Sequence, residues 1–246
     1  MWPRAMEAMG RREERVKTLV IIPAYNEEGT IQEVVTRTQR ELPFADIVVV
    51  NDGSSDDTPR LAEQTGAMVL NLPCNIGYGG ALQTGFRFAT QHGYEAVVTI
   101  DGDGQHDPSF AHRLIAVMET EQADVVIGSR FLQGRYQVGL ARKLAIRVFS
   151  HIATLYTGTA FTDPTSGFQA LRRRAFSYLA LRDNYPLDYP DVNIIMALHR
   201  MKFKVVEAPV RMVGKAGGKS MHSGLKPIVY VIRMSLAIVM VLLKKV

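Results

Sequence analysis

The segment VVTIDGDGQHDP, residues 97–108, places acidic side chains directly after a strand-forming run. Asp101 and Asp103 stand two positions apart, a spacing at which side chains of an extended chain point the same way. Two converging carboxylates repel each other unless a positive charge lies between them. Mg²⁺ and Mn²⁺ prefer oxygen ligands and often bridge to substrate phosphates. The segment therefore favours a divalent cation site, the alternative being an acidic turn before an Asp-Pro helix start.

The sequence around this segment alternates between strand-like and helical patterns. Strands are predicted for TLVIIPAY, DIVVV, AMVLNL, YEAVVTID and ADVVIGSRF, with helices between them. This alternation predicts an α/β fold with a doubly wound, mostly parallel sheet and helices on both faces. Ligands of such sheets bind at the carboxyl ends of the strands. Polar clusters follow four predicted strands, at residues 23–27, 51–54, 101–103 and 128–130. We expect one site at this edge.

Some element boundaries can also be predicted. Thr58 has the character of an N-cap, with Pro59 at the first helical position and Gly66 at the end of that helix. The pattern beyond residue 131 is more mixed. It predicts a turn leading into a helix for TDPTSGFQALRRRAF, a helix for DYPDVNIIMALHRMKF and a strand for KVVEAPVRMV.

Composition indicates a folded domain with an anionic partner. The chain has 246 residues, 47% of them hydrophobic, and a net charge of +5. It can bury a sizeable core and fits one large domain, or one domain with a short appendage. Nucleic acid, a membrane surface and a phosphorylated substrate all fit the positive charge. The single cysteine, Cys74, excludes an intrachain disulfide and agrees with a reducing compartment.

The two ends of the chain differ in character. Residues 1–17 form a charged lead-in without the apolar core of a secretory signal. Residues 228–243 are all apolar except Arg233 and Ser235. A membrane-spanning helix needs about 20 apolar residues, so residues 225–246 favour a helix at the membrane interface. The alternative is a helix that packs on a partner protein or within a homo-oligomer.

Two common nucleotide-binding motifs are excluded by their spacing. A dinucleotide fingerprint beginning at Gly77 and Gly79 would need glycine where the chain has Leu82. The stretch GKAGGKS would need glycine where the chain has Val213 to be a phosphate loop. The sequence therefore supports neither a dehydrogenase nor a P-loop ATPase.

The remaining polar residues fit a sugar nucleotide held by a metal. Asp52, at a strand end, can accept hydrogen bonds from a base N–H. Asp103 and Gln105 can supply oxygens to a cation that also bridges the diphosphate and offsets the charge on the leaving group. Asp56 and Asp57 are predicted as turn and cap residues.

The motifs PAYNE, VVVNDGSSDDT, DGDGQHDP, GSRF and TSGF, in this order, resemble family 2 glycosyltransferases with a GT-A fold. The resemblance is greatest to their polyprenyl-phosphate group, which includes the dolichyl-phosphate mannose synthases, and it covers residues 18 to about 224.

This resemblance implies roles for individual residues. The implied nucleotide-sugar ligands are Pro23, Ala24, Tyr25, Glu27, Asp52, Asp101 and Lys215. The implied metal ligands, for Mg²⁺ or Mn²⁺, are Asp101, Asp103 and Gln105. The implied acceptor-phosphate ligands are Arg130, Arg142 and Ser166, with Thr165–Phe168 lining that side. The implied catalytic residues are Asp103, Arg130 and Asp191.

Three positions depart from the family pattern. Gln169 replaces a basic residue, Lys215 replaces an arginine, and Asn193 replaces a carboxylate two positions after Asp191. A phosphate acceptor is already anionic and needs positioning more than proton removal. A hydroxyl acceptor would need a base, for which Asp191 and Asp163 are the candidates.

The basic residues beyond the metal loop favour an anionic acceptor; they are Arg130, Arg142, Lys143 and Arg147. For Lys143, Arg147 and the arginines at 172–174, exposure to solvent or contact with lipid head groups is favoured over acceptor binding. Four of the six histidines, His92, His106, His151 and His199, show no ligand spacing and are expected to be surface or core residues.

We therefore expect a metal-dependent, inverting transfer of one sugar from a UDP- or GDP-linked donor to polyprenyl or dolichyl phosphate. The reaction would take place at the cytoplasmic face of the membrane, without nucleic acid. Residues 18–130 would form the nucleotide-sugar half, 131–224 the acceptor half and 225–246 the membrane or partner helix. A small membrane protein or a second copy of the chain is a further candidate partner. Two alternatives stay open: a saccharide or protein hydroxyl as acceptor, and a non-catalytic nucleotide-sugar-binding scaffold.

Overall fold

The structure is a computed structural model that describes residues 16–132, 140–186 and 190–212, without the side chains of residues 140–142. Its helices and strands, in chain order, are β1 (Thr18–Ala24), α1 (Ile31–Glu41), β2 (Asp46–Asn51), α2 (Thr58–Gln64), β3 (Met68–Asn71), α3 (Tyr78–Gln91), β4 (Ala96–Thr99), α4 (Ala111–Thr120), β5 (Val125–Ser129), α5 (Leu140–Thr157), β6 (Gln169–Arg172), α6 (Arg173–Leu179), α7 (Val192–Arg200) and β7 (Val205–Pro209). Three predictions lie outside the described residues: the lead-in up to residue 15, Lys215 and the helix at 225–246. Within the described residues, none of the helices is long and apolar enough to span a membrane.

The described strands form one sheet in the order β3-β2-β1-β4-β6-β5-β7. All pairings are parallel except those of β6, which runs antiparallel to both β4 and β5. The α/β fold and the mostly parallel sheet are therefore confirmed.

The prediction of a turn leading directly into a helix was wrong at Gln169–Arg172, because this segment forms β6. Four residues are too few for a strand pattern, and the strand exists because Ala170 and Leu171 are fully buried between β4 and β5.

The core lies on both faces of the sheet, as the alternation of strand side chains requires. Leu19 and Ile21 of β1 face one apolar cluster, which includes residues of α3, α5, α6 and α7. Val20 and Ile22 face the other, which includes residues of α1, α2 and α4. All seven residues of β1 are buried, as expected for a strand covered on both faces. This rigid strand supports the loops at the carboxyl edge.

The turn before α2 differs from its prediction by one residue. Thr58 is the first helical residue rather than the N-cap, and Pro59 follows it. The Thr58 hydroxyl donates to Asp56 Oδ1 at 2.6 Å and accepts from the Glu27 backbone N–H at 2.7 Å. Thr58 thus uses its hydroxyl to hold two loops together instead of capping its own helix. Gly66 has φ +79° just after α2, which agrees with the predicted end of the helix.

Candidate active site

The loops that follow β1 and β2 are tied to each other at the carboxyl edge of the sheet. The Asn26 backbone N–H donates to Ser54 Oγ at 3.0 Å, and Asn26 Oδ1 accepts from the Ser55 backbone N–H at 2.9 Å. The predicted clusters at 23–27 and 51–54 are therefore brought together. Tyr25 lies on this surface with 48% of its area exposed, so its ring is accessible to a base or sugar. This edge is the predicted position of the donor pocket.

The acidic loop after β4 packs against the same edge. Thr30 Oγ1 donates to the Gly102 carbonyl at 2.7 Å, which joins the start of α1 to the acidic loop. A Cβ atom on Gly102 would lie 3.1 Å from the Pro23 carbonyl oxygen, so this position favours glycine. Residues at 23–30, 51–58 and 101–103 thus form one surface. Sequence reasoning did not single out Thr30, since nothing in the chain pattern pairs it with a residue 72 positions away.

Asp52 anchors the loop that leads into α3. Its carboxylate is buried, and it accepts from the backbone N–H of Ile76 at 2.8 Å and of Gly77 at 3.0 Å. Both amides lie at the N-terminus of α3, where a negative charge is also favoured by the helix dipole. Contact of Asp52 with a nucleotide base stays a prediction. The structure adds a second use of this side chain, which is to fix the start of α3.

The Asp101 carboxylate is held by two residues from different parts of the chain. Tyr78, the first residue of α3, donates its hydroxyl to Asp101 Oδ1 at 2.8 Å. His106 Nδ1 accepts from the Asp101 backbone N–H at 3.0 Å, so the ring proton lies on Nε2, 3.5 Å from Asp101 Oδ2. The His106 ring is buried and stacks on Phe168 at 5.0 Å. Sequence reasoning missed both partners, although His106 lies within the acidic motif itself.

Asp191 lies close enough to this cluster to act on it electrostatically. Burial, followed by the negative charge of Asp101, raises the pKa of the Tyr78 phenol well above its usual range, and Asp191 adds to this effect. Tyr78 as a whole residue is 39% exposed, although its hydroxyl lies against Asp101. Burial, then Asp191 and Asp101, also raise the pKa of Tyr185. Asp191, at the start of α7, therefore acts on the hydroxyls of Tyr78 and Tyr185 through its charge.

Asn193 has a structural function at the start of α7. Its Oδ1 accepts from the Asp191 backbone N–H at 2.9 Å, and its side chain is buried. The amide that replaces a carboxylate at this position thus orients the segment that carries Asp191.

The residues predicted to bind a metal, Asp101, Asp103 and Gln105, could coordinate it through carboxylate and amide oxygens. Asp103 accepts from the Gln105 backbone N–H at 3.0 Å and from Gln105 Nε2 at 2.5 Å, which turns the Gln105 amide oxygen away from Asp103. The described residues contain no cluster of three or more His, Cys, Asp or Glu side chains that could enclose a cation. Mg²⁺ and Mn²⁺ are commonly held by one or two carboxylates together with substrate phosphates and water. The donor set at Asp101 and Asp103 fits such an ion.

Arg130 and Asp163 form a buried ion pair at the end of β5. Arg130 Nε and Nη2 contact Asp163 Oδ2 and Oδ1 at 2.5 and 2.6 Å, and the Arg130 backbone N–H donates to Oδ2 at 3.0 Å. Arg130 Nη2 also donates to Thr165 Oγ1 at 3.0 Å. Both Asp163 oxygens are therefore engaged by a cation, which makes Asp163 a poor base. An acceptor would therefore meet an Arg130 side chain whose Nε and Nη2 are already engaged.

Glu207 supports this ion pair from β7. Its carboxylate accepts from the backbone N–H groups of Thr162 and Asp163 at 2.8 and 2.7 Å, and from the Thr162 hydroxyl at 2.7 Å. Burial raises the pKa of Glu207 above its usual value of 4.5, although these hydrogen bonds act in the opposite direction. The sequence offered no signal for this role, because the partners are 44 and 45 residues apart.

The Thr165–Phe168 loop contains an unsatisfied polar atom. Ser166 is 3% exposed, and its Oγ is the one buried side-chain nitrogen or oxygen of the described residues without a hydrogen-bond partner. A buried hydroxyl without a partner costs about 1–3 kcal/mol, so a ligand or water is expected there. Gln169 Nε2 donates to the Ser166 carbonyl at 2.9 Å and stabilises the loop. The side chain of Arg142, also predicted to bind the acceptor, lies outside the described residues.

Known proteins resemble this chain over most of its length. The model of the family described as glycosyl transferase family 2 matches residues 19–179. Undecaprenyl-phosphate mannosyltransferase of Micrococcus luteus is 32% identical over 217 residues, covering 85% of this chain and 88% of that protein. Polyprenol monophosphomannose synthase of Mycolicibacterium smegmatis is 32% identical over 221 residues, covering 85% and 82% respectively.

Solved structures show the same fold at lower identity. Glucosyl-3-phosphoglycerate synthase from Mycobacterium tuberculosis, in complex with phosphoglyceric acid, has a TM-score of 0.70 at 20% identity and covers 92% of this chain and 79% of that one. The same enzyme in complex with Mn²⁺ and uridine-diphosphate-glucose has a TM-score of 0.65 at 22% identity, with coverage of 92% and 78%. These likenesses support the GT-A fold. Because the family model covers more than half of the chain and two relatives exceed 30% identity, the chain belongs to glycosyl transferase family 2.

Proposed function

We propose that this protein transfers one sugar, with inversion, from a nucleotide sugar to a polyprenyl phosphate at the cytoplasmic face of the membrane. The observation that carries the proposal is the meeting of the acidic loop with the acceptor loop, where Gly167 lies against Asp101 and Tyr78. A sugar held at Asp101 would then be next to Ser166, whose hydroxyl has no partner. The two relatives that are 32% identical are both named for polyprenyl-linked mannosyl transfer.

The donor would bind on the loops after β1, β2 and β4. Pro23, Ala24, Tyr25 and Glu27 would line the nucleotide pocket, with Asp52 near the base and Lys215 over the diphosphate. A Mg²⁺ or Mn²⁺ ion held by Asp101, Asp103 and Gln105 would offset the charge that develops on the leaving nucleoside diphosphate. A solved structure of the same fold was crystallised with Mn²⁺ and a nucleotide sugar, which supports this assignment.

The acceptor phosphate would be oriented by residues of the second half of the chain. Ser166 would donate its unsatisfied hydroxyl, and Arg130 and Arg142 would supply positive charge. A phosphate oxygen is an adequate nucleophile once it is positioned in line with the anomeric carbon, so the transfer needs no proton removal. Asp103 would act on the leaving diphosphate only through the cation that it would hold, which would supply the positive charge there. Arg130 would help to orient the attacking phosphate.

A membrane surface would present this acceptor, and α5 offers a face that fits it. Leu144, Val148 and Leu155 are exposed on one side of α5, with 64%, 48% and 72% of their areas accessible. Lys143 and Arg147 are exposed beside them. An apolar stripe flanked by cations is the pattern of a helix that lies on an anionic lipid surface. Residues 225–246 would add a second contact, with lipid or with a partner protein or second copy.

The reaction can be tested with the full chain, Mn²⁺ or Mg²⁺, a short polyprenyl phosphate and each common nucleotide sugar in turn. We expect labelled sugar in the organic phase with one donor, and at least a hundredfold loss for Asp103→Ala, since removal of one charge-stabilising group commonly costs this much. Asp57→Ala is the matched control, because the Asp57 side chain is exposed and accepts a hydrogen bond from Arg60 at 2.6 Å, away from the acidic loop. Metal-dependent release of nucleoside diphosphate without a lipid product would contradict the lipid acceptor.

A hydroxyl acceptor is the second candidate, and it would need a general base. Asp191 is the candidate base, since its charge acts on the hydroxyls of Tyr78 and Tyr185 beside the acidic loop. Asp191→Asn distinguishes the two, since a hydroxyl acceptor would need this base and a phosphate acceptor would not. A turnover that falls at least a hundredfold with a saccharide, and no product with polyprenyl phosphate, would establish the second candidate.

Membrane attachment has its own test, which is co-sedimentation of the full chain with vesicles that contain anionic lipid. We expect Leu144→Ser together with Leu155→Ser to reduce binding about tenfold, because each exposed leucine would lose its burial in the lipid. Leu181→Ser is the control, since Leu181 is 59% exposed but lies outside α5. Equal binding of all variants would contradict the role of α5.

A further inference from the structure

We infer that Tyr78 is a positioning residue for the acidic motif, and that Gly167 provides the space it requires. The Tyr78 hydroxyl fixes the orientation of the Asp101 carboxylate, on which the proposed donor and cation site depends. The inference therefore rests on the proposed function for the use of Asp101. It assigns a role to two residues that the chemistry of the motif alone does not require.

Tyr78 is itself held in place by the donor side of the site. It is the first residue of α3, and Asp52 accepts from the backbone N–H groups of the two preceding residues, Ile76 and Gly77. The start of α3 therefore cannot move without breaking these bonds. From this fixed position the Tyr78 hydroxyl donates to Asp101 Oδ1 at 2.8 Å.

Gly167 lies so close to this hydrogen bond that a side chain would break it. A Cβ atom at position 167 would lie 2.3 Å from the Tyr78 hydroxyl oxygen, and 3.1 and 3.3 Å from the Asp101 carboxylate oxygens. The first distance is shorter than any ordinary carbon contact. The loop has little freedom to withdraw, because the Gly167 carbonyl accepts from Thr99 Oγ1 at 2.6 Å and the next residue, Phe168, is fully buried. Only glycine at 167 is compatible with the Tyr78–Asp101 contact.

This contact gives Asp101 one orientation. Oδ1 faces Tyr78, and Oδ2 is on the side of His106 Nε2 at 3.5 Å. Without the phenol, the carboxylate could rotate about its Cα–Cβ bond into solvent, since 31% of the Asp101 side chain is exposed. A cation site whose ligands are held in advance binds more tightly than one that must order them.

The experiment measures Mn²⁺ binding to the full chain by electron paramagnetic resonance, in the presence of UDP and, separately, GDP. We expect Tyr78→Phe to weaken Mn²⁺ binding about tenfold, the lower end of the effect seen when a residue that orients a metal ligand is removed. With the transfer assay available, we expect the same variant to raise the KM for the donor more than it lowers kcat. Unchanged Mn²⁺ affinity in Tyr78→Phe would overturn the inference.

Tyr94→Phe is a matched control for the loss of a tyrosine–aspartate hydrogen bond. The Tyr94 hydroxyl donates to Asp46 Oδ2 at 2.8 Å, the same length as the bond made by Tyr78. Asp46 begins β2, at the opposite end of the strand from Asp52. We expect Tyr94→Phe to lower thermal stability without any change in Mn²⁺ binding. A similar loss of Mn²⁺ affinity in both variants would assign Tyr78 a merely structural role.

A double-variant cycle tests the role of Gly167. Gly167→Ala should weaken Mn²⁺ binding at least as much as Tyr78→Phe. In the Tyr78→Phe background the added methyl group no longer meets a hydroxyl, so the further loss from Gly167→Ala should be smaller than in the wild-type background. Additive effects would show that the two residues act independently and would overturn the inference.

The two proposals can fail separately. In one outcome, the wild type binds Mn²⁺ in the presence of nucleotide and loses about tenfold in affinity through Tyr78→Phe, yet forms no lipid product. That result would contradict only the proposed acceptor. Lipid product with unchanged Mn²⁺ affinity in Tyr78→Phe would contradict only the role of Tyr78.

Discussion

The two sides of the candidate site are stabilised in different ways. The donor edge, made of the loops at residues 23–30, 51–58, 74–78 and 101–107, is held mainly by hydrogen bonds between side chains and backbone amides of neighbouring loops. The acceptor edge, made of residues 129–132, 162–169, 191 and 207, is held by a buried ion pair and a carboxylate beneath it. The donor edge keeps the carboxylates of Asp101 and Asp103 partly exposed, whereas the acceptor edge pairs the charge of Arg130 with that of Asp163 in its interior.

This difference has a chemical consequence. The carboxylates of Asp101 and Asp103 lie at an accessible surface, where a divalent cation could compensate their charge and bridge to a diphosphate. Arg130 is already compensated by Asp163, so it offers an acceptor much less net charge than an isolated arginine would. The donor edge is thus suited to binding through charge. On the acceptor edge, the unsatisfied Ser166 hydroxyl and the geometry of the loop must contribute a larger share.

The largest effect is expected from Asp163→Asn. Asparagine removes the negative charge that faces the buried Arg130 guanidinium, and removal of one partner of a buried ion pair typically costs about 3–5 kcal/mol of folding free energy. Denaturant unfolding of the full chain measures this loss. Asp57→Asn is the control, because Asp57 forms an exposed ion pair with Arg60 and should leave the unfolding midpoint unchanged. A midpoint equally insensitive to Asp163→Asn would show that the ion pair does not support the acceptor edge.

A smaller loss is expected from Asp52→Ala on the donor edge. Two hydrogen bonds from backbone amides to a carboxylate disappear, each worth about 1.5–3 kcal/mol. Because Ile76 is 37% exposed, water can replace part of what is lost. The start of α3 would loosen, so the affinity for UDP or GDP should fall together with stability. Calorimetric titration and thermal unfolding measure the two effects. Asp46→Ala, at the other end of β2, should leave nucleotide affinity unchanged; a decrease there would contradict a local role for Asp52.

Ser166→Ala is expected to separate binding from stability. Since the Ser166 hydroxyl has no partner in the described residues, its removal should leave the unfolding free energy unchanged or raise it by up to about 1 kcal/mol. The KM for polyprenyl phosphate should rise about tenfold if the hydroxyl binds the acceptor, while the KM for the donor should not change. Loss of stability in this variant would show that the hydroxyl has a structural partner.

The smallest effect concerns the pH dependence that Glu207 contributes. Its pKa is raised in the folded protein, so the folded state binds its proton more tightly than the unfolded state does. The stabilisation that follows is complete below the usual pKa of 4.5 and is lost as the pH rises through the folded pKa. The unfolding free energy of the wild type should therefore fall relative to that of Glu207→Gln as the pH rises above 4.5. If the difference between the two unfolding free energies does not change with pH, Glu207 does not contribute this pH dependence.

Much of the donor edge was predictable because it is built from local sequence patterns. The strands β1 to β5 follow from runs of apolar residues, and the polar clusters after them follow from the way parallel strands end at one edge. Asp101 and Asp103 could be singled out from their spacing alone. His106 is buried, which agrees with the expectation of a surface or core residue, but its hydrogen bond from the Asp101 backbone N–H was not predicted.

The sequence by itself determined the α/β alternation, the position of the acidic motif and the family to which the chain is similar. Only the tertiary structure decided that Gln169–Arg172 is a strand, that Arg130 is paired with Asp163 and that Tyr78 meets Asp101. These contacts join residues that lie 23, 33 and 70 positions apart in the sequence. The physical reason is that local patterns report which face of an element is buried, whereas partners across the sheet edge are set by how strands and helices from distant segments pack.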